Sequence, residues 1–430
     1  MLFPDTYEVN AAGHMSVGGC DLTELAAEFE TPLYVYDEAT LRGRIAEYRD
    51  SLRAAYPGES TVLYAGKAFL TMEIARLVAE EGAGLDLVSG GELYLAQKAG
   101  FPMDRVSFPG NNKSREEVEM AATMGIGALV VDSLHEIDLV RQLPAGTRVR
   151  TTLRVSPGIK PDTHSFISTG QLDSKFGFPL ETGQALETLK ALLDVPAADV
   201  QGVHSHIGSQ IFDLSGFVAA AEKVLDFLLT ARDGIGFKAA ELSLGGGLGI
   251  AYTRADRPPS PAEFARVLAD TVNEGASQRG LDLPRLLIEP GRSIAGPAGM
   301  ALYTVGAIKE IPGVRTYVAV DGGMGDNIRP KLYDAVYEAF KADAPDAEAT
   351  ETVTIAGRYC ESTDILVKDI QMPPLQPGDI IAMPAAGAYS LAMASNYNYN
   401  RRPAVVIVRD GKARLIRRRE TYEDLLATET

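Results

Sequence analysis

The chain has 430 residues, 46% of them hydrophobic and 23% charged, with a formal net charge of -17. That length fits two or three domains, one of which can be a large barrel. So acidic a surface disfavours nucleic acid and anionic membrane as partners, since both need a basic face, but it leaves room for a local Arg/Lys pocket that takes a small anion.

The first residues, MLFPDTYEVN, have neither a basic region nor a long apolar core. No secretory signal is expected from them. No apolar run approaches about 18 residues, so no membrane span is expected. From residue 60 onward short β-branched runs recur, each closed by Gly, Ser, Pro or a polar cluster. Strands are predicted near 61–65, 85–88, 106–108, 128–131, 148–155, 202–206, 241–244 and 286–289. Helical periodicity fills most of the gaps, as at 72–81, 91–99, 115–124 and 217–231. Alternating strands and helices imply parallel βαβ units. Eight such units in about 230 residues predict an α/β fold, a (β/α)8 TIM-type barrel over 31–298; a doubly wound open sheet is the alternative.

After residue 298 the pattern changes. Strand-like runs at 302–309, 315–320, 351–356, 379–383, 404–408 and 413–417 follow closely, the last two joined by Asp410-Gly411, a good hairpin turn. Residues 299–430 therefore read as a mainly β C-terminal domain, which the N-terminal segment 1–30 would complete because termini often lie together. Residues 341–352, rich in Ala, Asp and Glu, read as a surface loop. Cys20 and Cys360 stand too far apart to suggest a disulfide framework or a zinc site, so no metal is expected and a reducing cytoplasm is the simplest setting.

In a barrel, chemistry collects at the carboxyl ends of the strands, and the unusual residues fall there. Lys67 follows the first strand in YAGKAF. A desolvated lysine there can attack a carbonyl; a merely solvated strand-end lysine is the plainer alternative. His206 closes the sixth strand as a base, a stacking partner or a satisfied core histidine. Gly245-Gly246-Gly247 follows the seventh strand. Such a run can wrap an anion in backbone N–H groups, at the place where barrels often hold phosphate, or can be a tight turn. It lacks the G-x-G-x-x-G spacing of a dinucleotide site. Glu289 and Arg292 end the eighth strand, either as site residues or as an ion pair. In the later region Cys360 and Glu361 stand side by side in RYCESTD, and GAYS leads into a polar aromatic loop. The run Arg417-Arg418-Arg419 reads as an edge strand guarded by charge.

Taken in order, YAGKAF, GLDLVSGGEL, HSHIGSQ, LGGGLGI, EPGRSIAG, DGGMGDNIRPKLYDA, YCESTDIL and GAYSLAMASNYN resemble the fold-type III decarboxylases that use pyridoxal 5′-phosphate (PLP), and most of all the branch acting on meso-2,6-diaminopimelate. The likeness runs from residue 31 to the C-terminal hairpin. It implies an alanine-racemase-like barrel with a β domain and a homodimer with shared active sites. The implied reaction is decarboxylation of meso-2,6-diaminopimelate to L-lysine. It also implies roles. Lys67 holds PLP through its amine and His206 stacks on the ring. Ser209, Gly246, Gly247 and Tyr389 bind the phosphate, and Glu289 pairs with the pyridine nitrogen. Arg292, Arg329 and Tyr333 hold substrate carboxylate, with Arg292 near the phosphate too. From the partner subunit, Cys360 assists proton transfer and Glu361 reads the distal ammonium. Asp86 and residues 164–177 match without an assigned role. Rival readings are a sister decarboxylase acting on ornithine, arginine or carboxynorspermidine, a non-catalytic PLP-binding protein, and a PLP-independent Schiff-base aldolase.

Overall fold

The computed structural model describes residues 2–159 and 174–430, which pack as two units. One comprises Arg44–Gly249 and Pro258–Ser293; the other comprises the chain up to Gly43, Ile250–Arg257 and Ile294–Thr430.

The first unit is a closed barrel. Its eight parallel strands are Ser60–Ala65, Gly84–Asp86, Val106–Phe108, Ala128–Val131, Val149–Ser156, Ala198–His204, Glu241–Ser243 and Arg285–Ile288. Each pairs with the next, and the eighth returns to the first with Leu286 opposite Ser60 and Ile288 opposite Val62. Strands covered on both faces read as continuous apolar runs, which is why all eight were visible in the sequence. The intervening helices carry their own punctuation. Ser89, Ser114, Ser133 and Ser260 accept backbone N–H groups as N-caps, and Ser114 forms a capping box with Glu117. Gly100, Gly125, Gly236 and Gly280 close helices in the left-handed conformation. These signals fix each strand end, and therefore fix which residues stand on the rim.

The second unit is mainly β. Its sheet runs in the order Ile365–Met372, Glu351–Ala356, Arg315–Val320, Gly299–Ile311, Leu33–Asp37, Ala404–Arg409, Lys412–Arg417, with Ile380–Met383 also pairing Gly299–Ile311. A small three-stranded sheet, Glu8–Val9, Met15–Val17 and Cys20–Asp21, precedes it. Packing draws the first boundary after Gly43, not after residue 30 as the sequence suggested. The reason is the strand Leu33–Asp37, wholly buried, which lies between Gly299–Ile311 and Ala404–Arg409. Ile365–Met372 was not predicted as a strand, because the exposed Lys368-Asp369 pair interrupts its apolar pattern.

Arg419 corrects the reading of the basic run as a charged edge. Its Nη2 donates to the carbonyl oxygens of Glu30 (3.1 Å) and Pro32 (2.8 Å), tying the C-terminal segment to the entry of the buried strand. A second tie is Asp364, which is buried. Its carboxylate accepts the N–H groups of Met324 (2.7 Å) and Tyr359 (2.9 Å). The DGGMGDN loop and the RYCESTD loop are thereby fixed to each other.

Candidate active site

Seven of the predicted site residues gather at the carboxyl ends of the barrel strands. Lys67 sits on a single 3-10 turn, Gly66–Ala68, after the first strand. Its Nζ lies 3.7 Å from Asp86 Oδ2, at the end of the second strand; the lysine is partly exposed and the aspartate fully buried. Neither Asp86 oxygen has a hydrogen-bond partner among the described residues. Burial raises this carboxyl to about 7, with Lys67 opposing the rise and Glu289 adding to it.

Glu289 is the contrasting acid. Burial would raise it too, but His204 and Ser243, with Lys67, outweigh that and hold it well below the ordinary carboxylate range. The contacts are short: His204 Nε2 lies 2.9 Å from Oε2, and Ser243 Oγ donates to Oε1 at 2.7 Å. His206, two residues past His204, takes another position. Its Nδ1 accepts the Gly246 N–H at 3.3 Å. Enclosure by protein, then the charges of Lys67 and Arg154, press its imidazolium well below the usual histidine range, so the ring is neutral.

The loops after the sixth and seventh strands are joined. Ile211 N–H donates to Gly247 O (3.0 Å) and Gly249 N–H to Ile211 O (2.9 Å). This brings Ser209 beside the triple glycine, where the Arg292 Nη2 donates to Ser209 Oγ at 2.9 Å. Glycine is required here on space alone. A Cβ on Gly246 would stand 2.2 Å from Glu289 O, and one on Gly247, at φ +120°, would stand 2.3 Å from Gly208 O. A serine hydroxyl, a guanidinium and a backbone without side chains form an anion cradle. An amine, an ionised acid and an anion cradle on one rim are what PLP's aldehyde, pyridine nitrogen and phosphate need, so these residues fit that cofactor.

Residues 164–173 of the segment matched in the sequence lie outside the described residues. The SKFG that follows is anchored: the Arg154 guanidinium stands 4.3 Å over the Phe176 ring, and Asp132 accepts the Gly177 N–H.

The other predicted residues belong to the β unit. Arg329 is buried at the start of the short helix Arg329–Leu332. Its guanidinium lies 4.4 Å over the Tyr252 ring and hydrogen-bonds Tyr337 Oη, while its Nε has no partner among the described residues. Tyr333, predicted beside Arg329 as a carboxylate ligand, is the C-cap of that helix. Tyr389 is half-exposed, near enough to Arg329 to act on its charge, and sits at φ +59°. Ala385, Asn398 and Tyr399 in the same loop are also left-handed; such strain concentrates at functional loops. Cys360 is an exposed free thiol whose backbone N–H donates to Asn398 Oδ1 at 3.0 Å. Glu361 accepts from the Thr363 backbone and hydroxyl, which lower its carboxyl below the usual range.

The sequence reading gave His204, Ser243, Tyr252 and Tyr337 no role. His204 was legible in principle. Residues two apart on a strand share a face, so the doublet in HSH carried a signal for a second inward histidine.

Comparison with known proteins gives this arrangement its family. The profile described as pyridoxal-dependent decarboxylase, pyridoxal binding domain, matches residues 40–296. The diaminopimelate decarboxylase of Bacillus subtilis is 48% identical over 428 residues, covering 99% of this chain and 97% of its own. This chain belongs to the diaminopimelate decarboxylase family of pyridoxal-dependent decarboxylases. Among solved relatives, the family member from M. jannaschii in complex with L-lysine aligns with a TM-score of 0.93 at 37% identity, covering 100% of this chain and 99% of that one. The Helicobacter pylori enzyme, also complexed with L-lysine, aligns at 0.85 and 32% identity over 94% of this chain and 98% of its own. The expectations of a (β/α)8 barrel with a β domain and of PLP as cofactor hold for the chain. Among the described residues, no helix is long and apolar enough to cross a membrane.

Proposed function

We propose that the chain decarboxylates meso-2,6-diaminopimelate to L-lysine and CO2, the last step of lysine biosynthesis, as a cytoplasmic homodimer with shared active sites. The observation that carries the reading is the barrel rim itself, where Lys67, the ionised Glu289 and the Ser209–glycine–Arg292 cradle converge. Bound there, PLP would supply an electron sink for the pair left on Cα when the carboxylate leaves as CO2.

The chain's own residues do the rest. Lys67 anchors the cofactor through its ε-amine. Ser209, Arg292 and the N–H groups at Gly246 and Gly247 would hold its phosphate, the Gly246 N–H giving up its His206 Nδ1 acceptor for the anion, with Tyr389 as a further contact carried over from the resemblance. Neutral His206 offers a flat apolar face to the ring without adding a positive charge. Glu289 keeps the pyridine nitrogen protonated, which deepens the electron sink and favours loss of CO2 over racemisation. Arg292, Arg329 and Tyr333 would orient the substrate through its carboxylates; such orientation is a large part of the rate. Cys360 of the partner subunit returns a proton to Cα, and Glu361 of the partner subunit pairs with the distal ammonium.

Three observations support the finer points. Arg329 is a buried guanidinium whose Nε has no partner among the described residues, as a carboxylate ligand should be. The backbone of the exposed Cys360 is bonded to Asn398, whose neighbours Tyr397 and Tyr399 are also exposed, a surface suited to a second copy. Both cysteines are free thiols, which suits a reducing compartment.

The test is incubation of the PLP-loaded protein with meso-diaminopimelate, ornithine, arginine, lysine and carboxynorspermidine, with CO2 and products measured. L-lysine from diaminopimelate is the expected result. Faster CO2 release from ornithine, or no turnover of diaminopimelate, would overturn the assignment.

A further inference from the structure

The barrel does not fill its interior at the amino-terminal end. Barrel interiors are ordinarily packed with bulky branched side chains, yet here Thr61, Thr152 and Ser243 stand among the inward residues. A cavity of about 300 Å³ remains. Its outer end is lined by Arg150, Glu241 and Arg285, the guanidinium groups both paired to Glu241, and its inner end by His204, Ser243 and Glu289. Such a space accommodates on the order of ten water molecules at about 30 Å³ each.

His204 stands between this cavity and the acid on the rim. It is the last residue of the sixth strand and is 2% exposed. Glu289, an ionised carboxylate, has no proton to give, so the 2.9 Å contact is an Nε2–H donation from the histidine. Nδ1 is buried and has no partner among the described residues. The other titratable groups coupled to the pair are Lys67, Asp86 and His206.

We propose that His204 is a positioning residue for the decarboxylation: its Nε2–H fixes the rotamer and charge of Glu289 from the cavity side of the barrel. The acid under the cofactor is thereby held by a group that substrate never meets. This rests on the reading of Glu289 as the partner of the pyridine nitrogen.

The test uses the holoenzyme loaded with PLP carrying ¹⁵N in the ring. A Gln amide reaches the Nε2 position, whereas an Asn amide reaches only Nδ1. His204→Gln should therefore keep the protonated pyridine shift of the unmodified protein. His204→Asn should move that shift toward the unprotonated form, with kcat down at least about tenfold and KM within about twofold. His204→Leu carries the same expectation as Asn and serves if the Asn variant does not fold. Glu289→Gln is the control. If it loses the protonated nitrogen while His204→Asn and His204→Leu keep it, the proposal is wrong, even if both lose thermal stability. If Glu289→Gln keeps the protonated nitrogen, the role of Glu289 falls, and this inference with it.

Discussion

Gly246→Ala tests whether the cradle and the acid are one mechanical unit. Gly246 has no positive φ, so alanine suits its backbone; the obstacle is space. The added Cβ would lie 2.2 Å from Glu289 O, 2.8 Å from Glu289 C and 3.3 Å from Pro290 Cα. All three are backbone atoms, so no side chain can swing away. Restoring a normal contact of about 3.5 Å requires a movement of more than about 1 Å. That moves either the phosphate loop or the end of the eighth strand, where Glu289 accepts from His204 and Ser243. Overpacking of this kind costs about 1–3 kcal/mol, and each hydrogen bond lost from a charged group costs a further ~1.5–3 kcal/mol. Thermal unfolding should fall by several degrees. The dissociation constant for PLP, followed by absorbance, should rise at least about tenfold, or about 1.4 kcal/mol. Gly234→Ala is the control: it lies in the helix Ser215–Ile235 with nothing within 4 Å of its Cβ, and should stabilise by up to about 1 kcal/mol. A Gly246→Ala protein that bound PLP as tightly as the parent would refute the reasoning.

Three further outcomes are expected. Lys113→Met strands Glu136, since the pair is 2% and 1% exposed at 3.2 Å, and should cost about 3–5 kcal/mol in chemical denaturation, with part recovered by adding Glu136→Gln; a loss under about 0.5 kcal/mol would contradict this. Asp86 is raised above its free value, so its stabilising contribution is full below that value and is lost as pH rises through about 7. The cofactor-free protein should thus lose more stability between about pH 4 and pH 7 than Asp86→Asn does, and parallel pH profiles would exclude the assignment. Glu361→Gln should lower kcat/KM for diaminopimelate at least about tenfold; unchanged kinetics would remove Glu361 from substrate recognition.

What the sequence concealed follows from the range over which each feature is determined. Barrel strands announce themselves locally, through apolar runs and their Gly or Ser punctuation. The segment LYVYD at 33–37 announces a strand equally well, but not its sheet, because its partners lie at 299–311 and 404–409. Lys67, Glu289 and the glycine run stood out as odd residues at strand ends. His204 did not, because its role depends on which way it faces within the barrel, and that depends on the register of strands six to eight. Arg329 was visible as a charge, but Tyr252 comes from a stretch about 77 residues earlier and Tyr337 from beyond the helix, so neither contact has a local pattern.

The rim shifts two buried carboxylates in opposite directions, and the charge of His204, with the hydrogen bonds from His204 and Ser243, sets Glu289 apart. Asp86 and Glu289 are both enclosed and both feel Lys67. Glu289 accepts from His204 and Ser243; among the described residues Asp86 has no hydrogen-bond partner, its nearest cation being Lys67 at 3.7 Å. Two acids in one site with divergent environments take different roles. Glu289 is the permanent anion, suited to a partner that must stay charged throughout turnover. Asp86 depends on Lys67 for whatever charge it keeps. Each neutralisation of that amine removes the force drawing the aspartate down and favours its protonated form. The pair can therefore exchange charge without changing the sum at the rim, while the field of Glu289 at the ring stays fixed.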